Sequence, residues 1–180
     1  MQIRAATEED LPEVSAIYDH HAISSVSTFD DESPGPERWL PQVGNDRASG
    51  EHLLVVVADG GEVRGYAESS VFRAKPAYAH TREVSVYLGL DARQQGYGRK
   101  LYDELLGLLR ADGIHVALAV IALPNPASEA LHRACGFTRV GVVEEVGWKF
   151  GAWVDTAWWQ LKLGDETPGE VVVEESPVHR

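Results

Sequence analysis

The chain has 180 residues and a formal net charge of −12, with 44% hydrophobic residues, 24% charged residues and a single cysteine, Cys135. That is the make-up of one soluble globular domain with a substantial core. One cysteine excludes an intrachain disulfide and a thiolate metal cluster, and the acidic balance argues against nucleic acid or anionic membranes as partners.

Residues 3–5 open as a strand, and no signal peptide is expected in front of them. Thr7 followed by Glu8, Glu9 and Asp10 is a helix start: a hydroxyl cap, then acids in the first turn. Leu11, Val14 and Ile17 or Tyr18 continue it as an apolar stripe. His20 and His21 near its end point to different sides, a poor metal pair, and are expected to be exposed. Residues 24–30 read as an extended segment or a loop. Pro34-Gly35-Pro36 breaks the chain, and a second short helix is expected from Glu37 to Leu40, with Gly44-Asn45-Asp46 as its exit. Residues 53–58 are a continuous apolar run, the pattern of a buried strand. Asp59-Gly60-Gly61 is a hairpin turn, and residues 63–72 return as the partner strand, with a bulge expected at Gly65. Residues 73–81 form a loop carrying Arg73, Lys75, Tyr78 and His80.

The most informative stretch follows. Residues 82–88 alternate as a strand, grouping Glu83, Ser85 and Tyr87 opposite Val84, Val86 and Leu88. After a short connection comes Arg93-Gln94-Gln95-Gly96-Tyr97-Gly98, and from there Leu101, Leu105 and Leu108 recur at helical spacing. The first N–H groups of such a helix have no partner inside it, and glycines let a ligand approach the backbone closely; strand, glycine loop and helix together suit a phosphate or pyrophosphate. Ala111-Asp112-Gly113 closes the helix. Residues 114–120 alternate as another central strand. The longest apolar run, Ile114 to Leu123, contains His115 and is too short to span a bilayer. Leu123-Pro124-Asn125-Pro126 breaks the chain, residues 127–135 form a short helix closed by Gly136, and 139–146 and 153–163 are two further strands. From Gly164 the chain carries five acids and one base and loses its aromatics, so 164–180 is expected to be a disordered acidic tail, with Val171-Val172-Val173 as an alternative edge strand. The expected architecture is α+β with a mixed sheet in one domain over 1–163, in the order β-α-α-β-β-β-α-β-α-β-β. A P-loop would need Gly-x-x-x-x-Gly-Lys-Ser/Thr, and a dinucleotide fold Gly-x-Gly-x-x-Gly near the N-terminus; neither is present.

The six residues 93–98, the strand and helix around them, and the later Asn125…Ala130-Leu131-His132-Arg133-Ala134-Cys135-Gly136-Phe137 resemble the GNAT acyltransferases, with matching element order over about 1–163. Within that family, residues 72–88, 120–125 and 147–155 are similar to the phosphinothricin and methionine sulfoximine N-acetyltransferases. The resemblance implies a GNAT fold, acetyl-coenzyme A as co-substrate, no metal, a cytoplasmic enzyme and direct attack of a small amine on the acetyl thioester.

The resemblance also implies roles. Backbone amides of Arg93, Gln94, Gln95, Gly96, Tyr97, Gly98 and Arg99 would hold the pyrophosphate, with the helix dipole behind them. Val86, Tyr87 and Leu88 would pair with the pantetheine arm and polarise the acetyl carbonyl. Asn125 would bind the arm through its side chain; the competing reading is a turn residue between two prolines. For Glu83 the residues alone leave a solvent-facing position and a cleft-facing base evenly open, and the resemblance makes it the amine-binding general base. His132 stands where many relatives have tyrosine, and an imidazole that titrates near neutrality can share the proton transfers. Arg73, Lys75 and Tyr78 would bind an anionic group of the substrate, such as a carboxylate, and Phe29 would form a cavity wall. Trp148, Trp153, Trp158 and Trp159 are expected in the core or at a dimer contact, and a homodimer through the C-terminal strands is implied. Two alternatives stand beside this reading: a coenzyme A-binding sensor without turnover, and an acetylase of peptide N-termini or polyamines.

Overall fold

The computed structural model describes residues 1–43, 50–92 and 94–164. The expected acidic tail beyond Gly164 and the exit at 44–46 lie outside the described residues. Strands β1 (Gln2–Ala5), β2 (Leu53–Val57), β3 (Val63–Val71), β4 (Thr81–Leu88), β5 (Val116–Ala122), β6 (Thr138–Lys149) and β7 (Ala152–Lys162) form one sheet in the order β1-β2-β3-β4-β5-β7-β6. Helices α1 (Leu11–Ser24), α2 (Tyr97–Ala111) and α3 (Pro126–Ala134) flank it. Every neighbouring pair of strands is antiparallel except β4 and β5, which run parallel.

The sheet is a wall between two cores. On one face α2 lays Leu101, Tyr102, Leu105 and Leu109 against Val84, Ala117, Ala119, Ile121 and Trp159. On the other, Val14 and Tyr18 of α1 pack with Trp39 on Val55 and Tyr66. This two-sided cover explains the unbroken apolar run of β2: Leu54 and Val56 belong to the first core, Leu53, Val55 and Val57 to the second. Thr7 and Asp10 form a reciprocal cap before α1, and Arg4 grips Asp10 at 2.6 Å, holding its carboxyl down to about 2.

Three local expectations are refined. The short helix after Pro36 is a 3-10 turn over Pro36–Gln42; Pro41 inside it has no N–H to continue an α-helix. The bulge falls beside Gly65, where Arg64 is the extra residue between Val56↔Gly65 and Val57↔Val63. The β6–β7 hairpin is longer than the pattern suggested, because its turn is only Phe150-Gly151, both at positive φ. Gly147 is not a turn residue: it lies in β6 directly beneath the Phe29 ring, which a Cβ would strike. Residues after α1 form a loop over the sheet, tied down by Lys149 Nζ donating to the carbonyls of Thr28 (2.7 Å) and Asp30 (2.8 Å).

One departure from regular pairing positions the site. β4 pairs with β5 only from Thr81↔Val116 to Glu83↔Leu118. On its other edge β4 stays paired with β3 through Leu88, and β5 stays paired with β7 through Ala122. The two parallel strands therefore splay apart in mid-sheet, and Glu83 sits at the fork.

Candidate active site

The splay opens a groove of about 770 Å³. One wall is β4 from Val84 to Leu88, the other β5 from Ala119 to Ala122, with Gln94, Gly96, Gly98 and Arg99 at one end and Asn125, Ser128 and His132 along α3. A second cavity of about 200 Å³ adjoins it and is lined by Glu83, Glu68, Arg38, Tyr18, Phe29 and Thr156, among others. Ser85, Tyr87, Val120 and Ala122 line both, so the two form one cleft bent around β4.

At the wide end the chain offers backbone donors. Gly96, at φ 77°, caps α2, and the first N–H of the helix to return to the cap is that of Lys100, on the Gly96 carbonyl. The amides of Tyr97, Gly98 and Arg99 thus precede the intrahelical ladder and stand at the positive end of a 15-residue helix. Gln94 is also in the left-handed region, at φ 62°, and with Gly96 and Gly98 it lines the groove. A Cβ on Gly98 would come within 3.1 Å of Leu131. These features fit an anionic group such as a pyrophosphate, and the unladdered edge of residues 84–88 fits an extended arm that pairs as another strand. Arg93 lies outside the described residues. Gln95 is exposed with its side chain on the Asp91 carbonyl, and Tyr97 packs toward the core, so these two can contribute main-chain atoms rather than side chains. Arg99 bridges α2 and α3, from Asp103 to the Ala134 carbonyl.

The cavity settles the face of Glu83. Glu83 lies opposite Ser70, as Ser85 lies opposite Glu68 and Tyr87 opposite Tyr66, and Glu83, Glu68, Ser85 and Tyr87 all line the cavity. Burial raises the pKa of Glu83, favouring its neutral form. Glu68 is 6% exposed and likewise raised by burial, against the lowering effects of Arg38 and of Trp39, whose Nε1 donates to it at 3.0 Å. The cavity therefore holds two carboxylates.

His132 is not the exposed helix residue its polarity would allow. It is 3% exposed, wedged among Tyr102, Phe137 and Trp159. Nδ1 lies 2.8 Å from the Ser128 carbonyl, an obligate acceptor, so Nδ1 carries the hydrogen. Nε2 then accepts from the Tyr102 hydroxyl at 3.0 Å. Burial lowers the pKa of His132, so the ring is neutral near pH 7.

Asn125 combines both of its readings: Oδ1 caps α3 by accepting from Ser128 N at 3.1 Å, and the residue lines the groove, leaving its NH₂ end for a ligand. Arg73, Lys75 and Tyr78 are exposed and line neither cavity; Tyr78 packs edge to face on Phe72, which meets Trp158 in the same way. Phe29 does form a wall. Four lining residues escaped sequence reasoning. His21, expected at the surface, reaches across to the Leu88 carbonyl at 3.1 Å. Tyr102 looked like core, and Arg38 and Glu68 carried no motif; only the pairing of Glu68 with Ser85 could have marked it. Cys135 is partly buried, and burial raises its thiol. Among the described residues no group of three His, Cys, Asp or Glu side chains could hold a metal ion.

Fold and cleft define an acyltransferase of the GNAT type, and the relatives agree. Residues 3–158 match the family model of the acetyltransferase (GNAT) domain, and the chain belongs to that family. It is 41% identical over 165 residues to the phosphinothricin N-acetyltransferase of Streptomyces coelicolor, covering 91% of this chain and 96% of that one. It is 37% identical to the L-methionine sulfoximine/L-methionine sulfone acetyltransferase of Pseudomonas aeruginosa, covering 89% and 94%. A crystal structure of a phosphinothricin acetyltransferase from Sinorhizobium meliloti in complex with AcCoA superposes with a TM-score of 0.87 at 34% identity, covering 97% and 96%.

Proposed function

We propose that this protein transfers the acetyl group of acetyl-CoA directly to the α-amine of a small amino acid or analogue of the phosphinothricin, methionine sulfoximine or methionine sulfone type. The observation that carries the reading is the cleft itself: free helix amides at one end, an unpaired strand edge along it, and a buried carboxylate at the fork. The co-substrate supplies an activated acetyl thioester; the chain does the rest. Amides of residues 94–99, with Arg93, hold the pyrophosphate. The edge at Val86, Tyr87 and Leu88, with the NH₂ of Asn125, aligns the arm, and a backbone N–H there polarises the acetyl carbonyl.

The substrate arrives as an ammonium and gives up one proton to become a nucleophile, which ends in solvent; a second leaves the nitrogen as the amide bond forms and the C–S bond breaks, and it ends on the leaving sulfur. Glu83 takes the first, directly or through a water. Neutral His132, with Tyr102 hydrogen-bonded to Nε2, handles the proton bound for sulfur. Arg73, Lys75 and Tyr78, on the exposed loop before β4, draw in the anionic group of the substrate. A panel of amines with acetyl-CoA, followed by thiol release, tests the assignment. Turnover of methionine sulfone, methionine sulfoximine and phosphinothricin is expected. Acetylation of peptides or polyamines while all three fail would overturn it, and coenzyme A binding without any turnover would favour a sensor.

The reading includes a cytoplasmic homodimer. β6 is an edge strand, and Val140, Val142, Val146, Trp148, Phe150 and Trp153 of the β6–β7 hairpin are 40% to 63% exposed. An apolar face of this kind on an exposed edge suits a second copy. Sedimentation should give a dimer, and Trp148→Glu with Phe150→Glu should give a monomer; a monomeric wild type would sink this part.

A further inference from the structure

The narrow end of the cleft contains a cation with no part yet in the reaction. Arg38 lines the cavity beside Glu68, and among the described residues lining that cavity it is the only basic side chain. Its guanidinium lies 4.6 Å from the Tyr18 ring centroid and 5.2 Å from that of Trp39, which fixes its plane. Its two carboxylate partners are at long range, Asp30 at 3.3 Å and Glu68 at 3.5 Å. Strong charge-assisted pairs close to about 2.7–2.9 Å, so these contacts hold the group in place and leave donors of its five for a ligand. A buried glutamate, an aspartate and two rings around one arginine form a built socket.

The position of the socket says what it reads. Glu68 pairs across the sheet with Ser85, and Glu83 is two residues further along β4, a diagonal of about 7 Å. Arg38 stacks on Tyr18, and Tyr18 packs on Tyr87, which stands on the other side of Ser85 from Glu83 along β4. The charge of Arg38 acts on Glu68 and Tyr18, whereas the shift of Glu83 has burial as its cause. An amine placed at Glu83 keeps its own carboxylate within one carbon of the nitrogen, too near the fork for Arg38. The side chain, crossing Ser85, arrives there instead.

We infer that Arg38, held by Asp30 and Glu68 and stacked on Tyr18 and Trp39, is a specificity-determining residue that binds the terminal P–O or S–O oxygens of the substrate side chain. The inference rests on the amino-acid reading above and adds the group within the amino acid that is selected. It makes the enzyme a reader of oxidised sulfur or phosphinyl side chains: the guanidinium donates to acceptor oxygens that methionine lacks, and an unfilled donor pair disfavours the thioether.

The test is the ratio of kcat/KM for L-methionine sulfone to that for L-methionine, with phosphinothricin in parallel, in the wild type, Arg38→Met and Arg38→Lys. In Arg38→Met the ratio is expected to fall on the order of 30-fold, equivalent to about 2 kcal/mol, chiefly through KM for the sulfone. Phosphinothricin, with a full charge, should lose more. Arg38→Lys keeps the charge without the fork and should fall between; it decides the matter should the methionine variant not fold. A wild type without preference for the sulfone, or a ratio that neither substitution moves, overturns the inference alone. A wild type that acetylates none of these amino acids overturns the proposed function and this inference with it.

Discussion

Glu83→Gln is expected to lower kcat on the order of a hundredfold to a thousandfold while leaving acetyl-CoA affinity intact. Glutamine keeps the shape and the hydrogen bonds but cannot take a proton. Glu83 stands at the fork where β4 leaves β5, in the narrow cavity and away from the α2 amides, so its loss touches the amine end alone. The sign of the pH dependence follows from its burial, which raises the pKa. The base works only when ionised, so the wild-type profile should rise with pH through a value above the ordinary glutamate range, and that limb should vanish in the variant. The same burial has a converse in stability. The folded protein keeps the proton to higher pH than the unfolded chain does, so a penalty for the charged carboxylate is absent at low pH and grows as pH rises through the folded pKa. Glu83→Gln should therefore melt above the wild type at neutral pH. A variant both slower and less stable would mean a structural carboxylate.

The second large effect belongs to His132, where chemistry and packing coincide. His132→Ala removes a ring at 3% exposure and strips partners from the Tyr102 hydroxyl and the Ser128 carbonyl. Cavity formation and a stranded buried hydroxyl together should cost about 2–4 kcal/mol in denaturant titration. Turnover should fall as well, and His132→Gln, which keeps polar atoms near both partners, separates the two effects: it should recover much of the stability without the activity. Burial depresses the imidazole pKa below 6.5. The unfolded chain thus binds the proton more readily, and His132 contributes stability above the unfolded value that is lost as pH falls through the folded one. That acid sensitivity should be weaker in the glutamine variant. Full turnover in a folded His132→Ala protein would remove the residue from the mechanism.

Much of this arrangement is written in short-range pattern. The β2 run, the alternation of β4, the Leu101-Leu105 stripe of α2 and the exits at Gly113 and Gly136 are each set within a few residues by side-chain period and backbone freedom, and they lie where expected. The glycine loop and Asn125 were legible through resemblance, because their spacing is tied to one backbone path. The face of Glu83 was not, since alternation separates two faces without saying which one meets solvent; the cavity that Glu83 lines together with Glu68, Ser85 and Tyr87 decides it. Arg38 and Glu68 stayed hidden for a different reason. Thirty residues part them in the chain, and only packing of the Pro36–Gln42 turn on β3 brings them together. His21 illustrates the same limit, as its partner, the Leu88 carbonyl, lies 67 positions away.

The central claim is that the cleft joins amine and thioester for direct transfer, with no acyl group passing through the protein. Cys135, partly buried with its thiol raised, is held in the unreactive form. Intact-mass measurement with thiol detection, on enzyme mixed first with acetyl-CoA and then with L-methionine sulfone, tests this. The account predicts an unmodified protein and no thiol in the first step, then thiol and N-acetylmethionine sulfone in equal amounts in the second. A protein heavier by one acetyl group before the amine is added, with thiol already released, would contradict it.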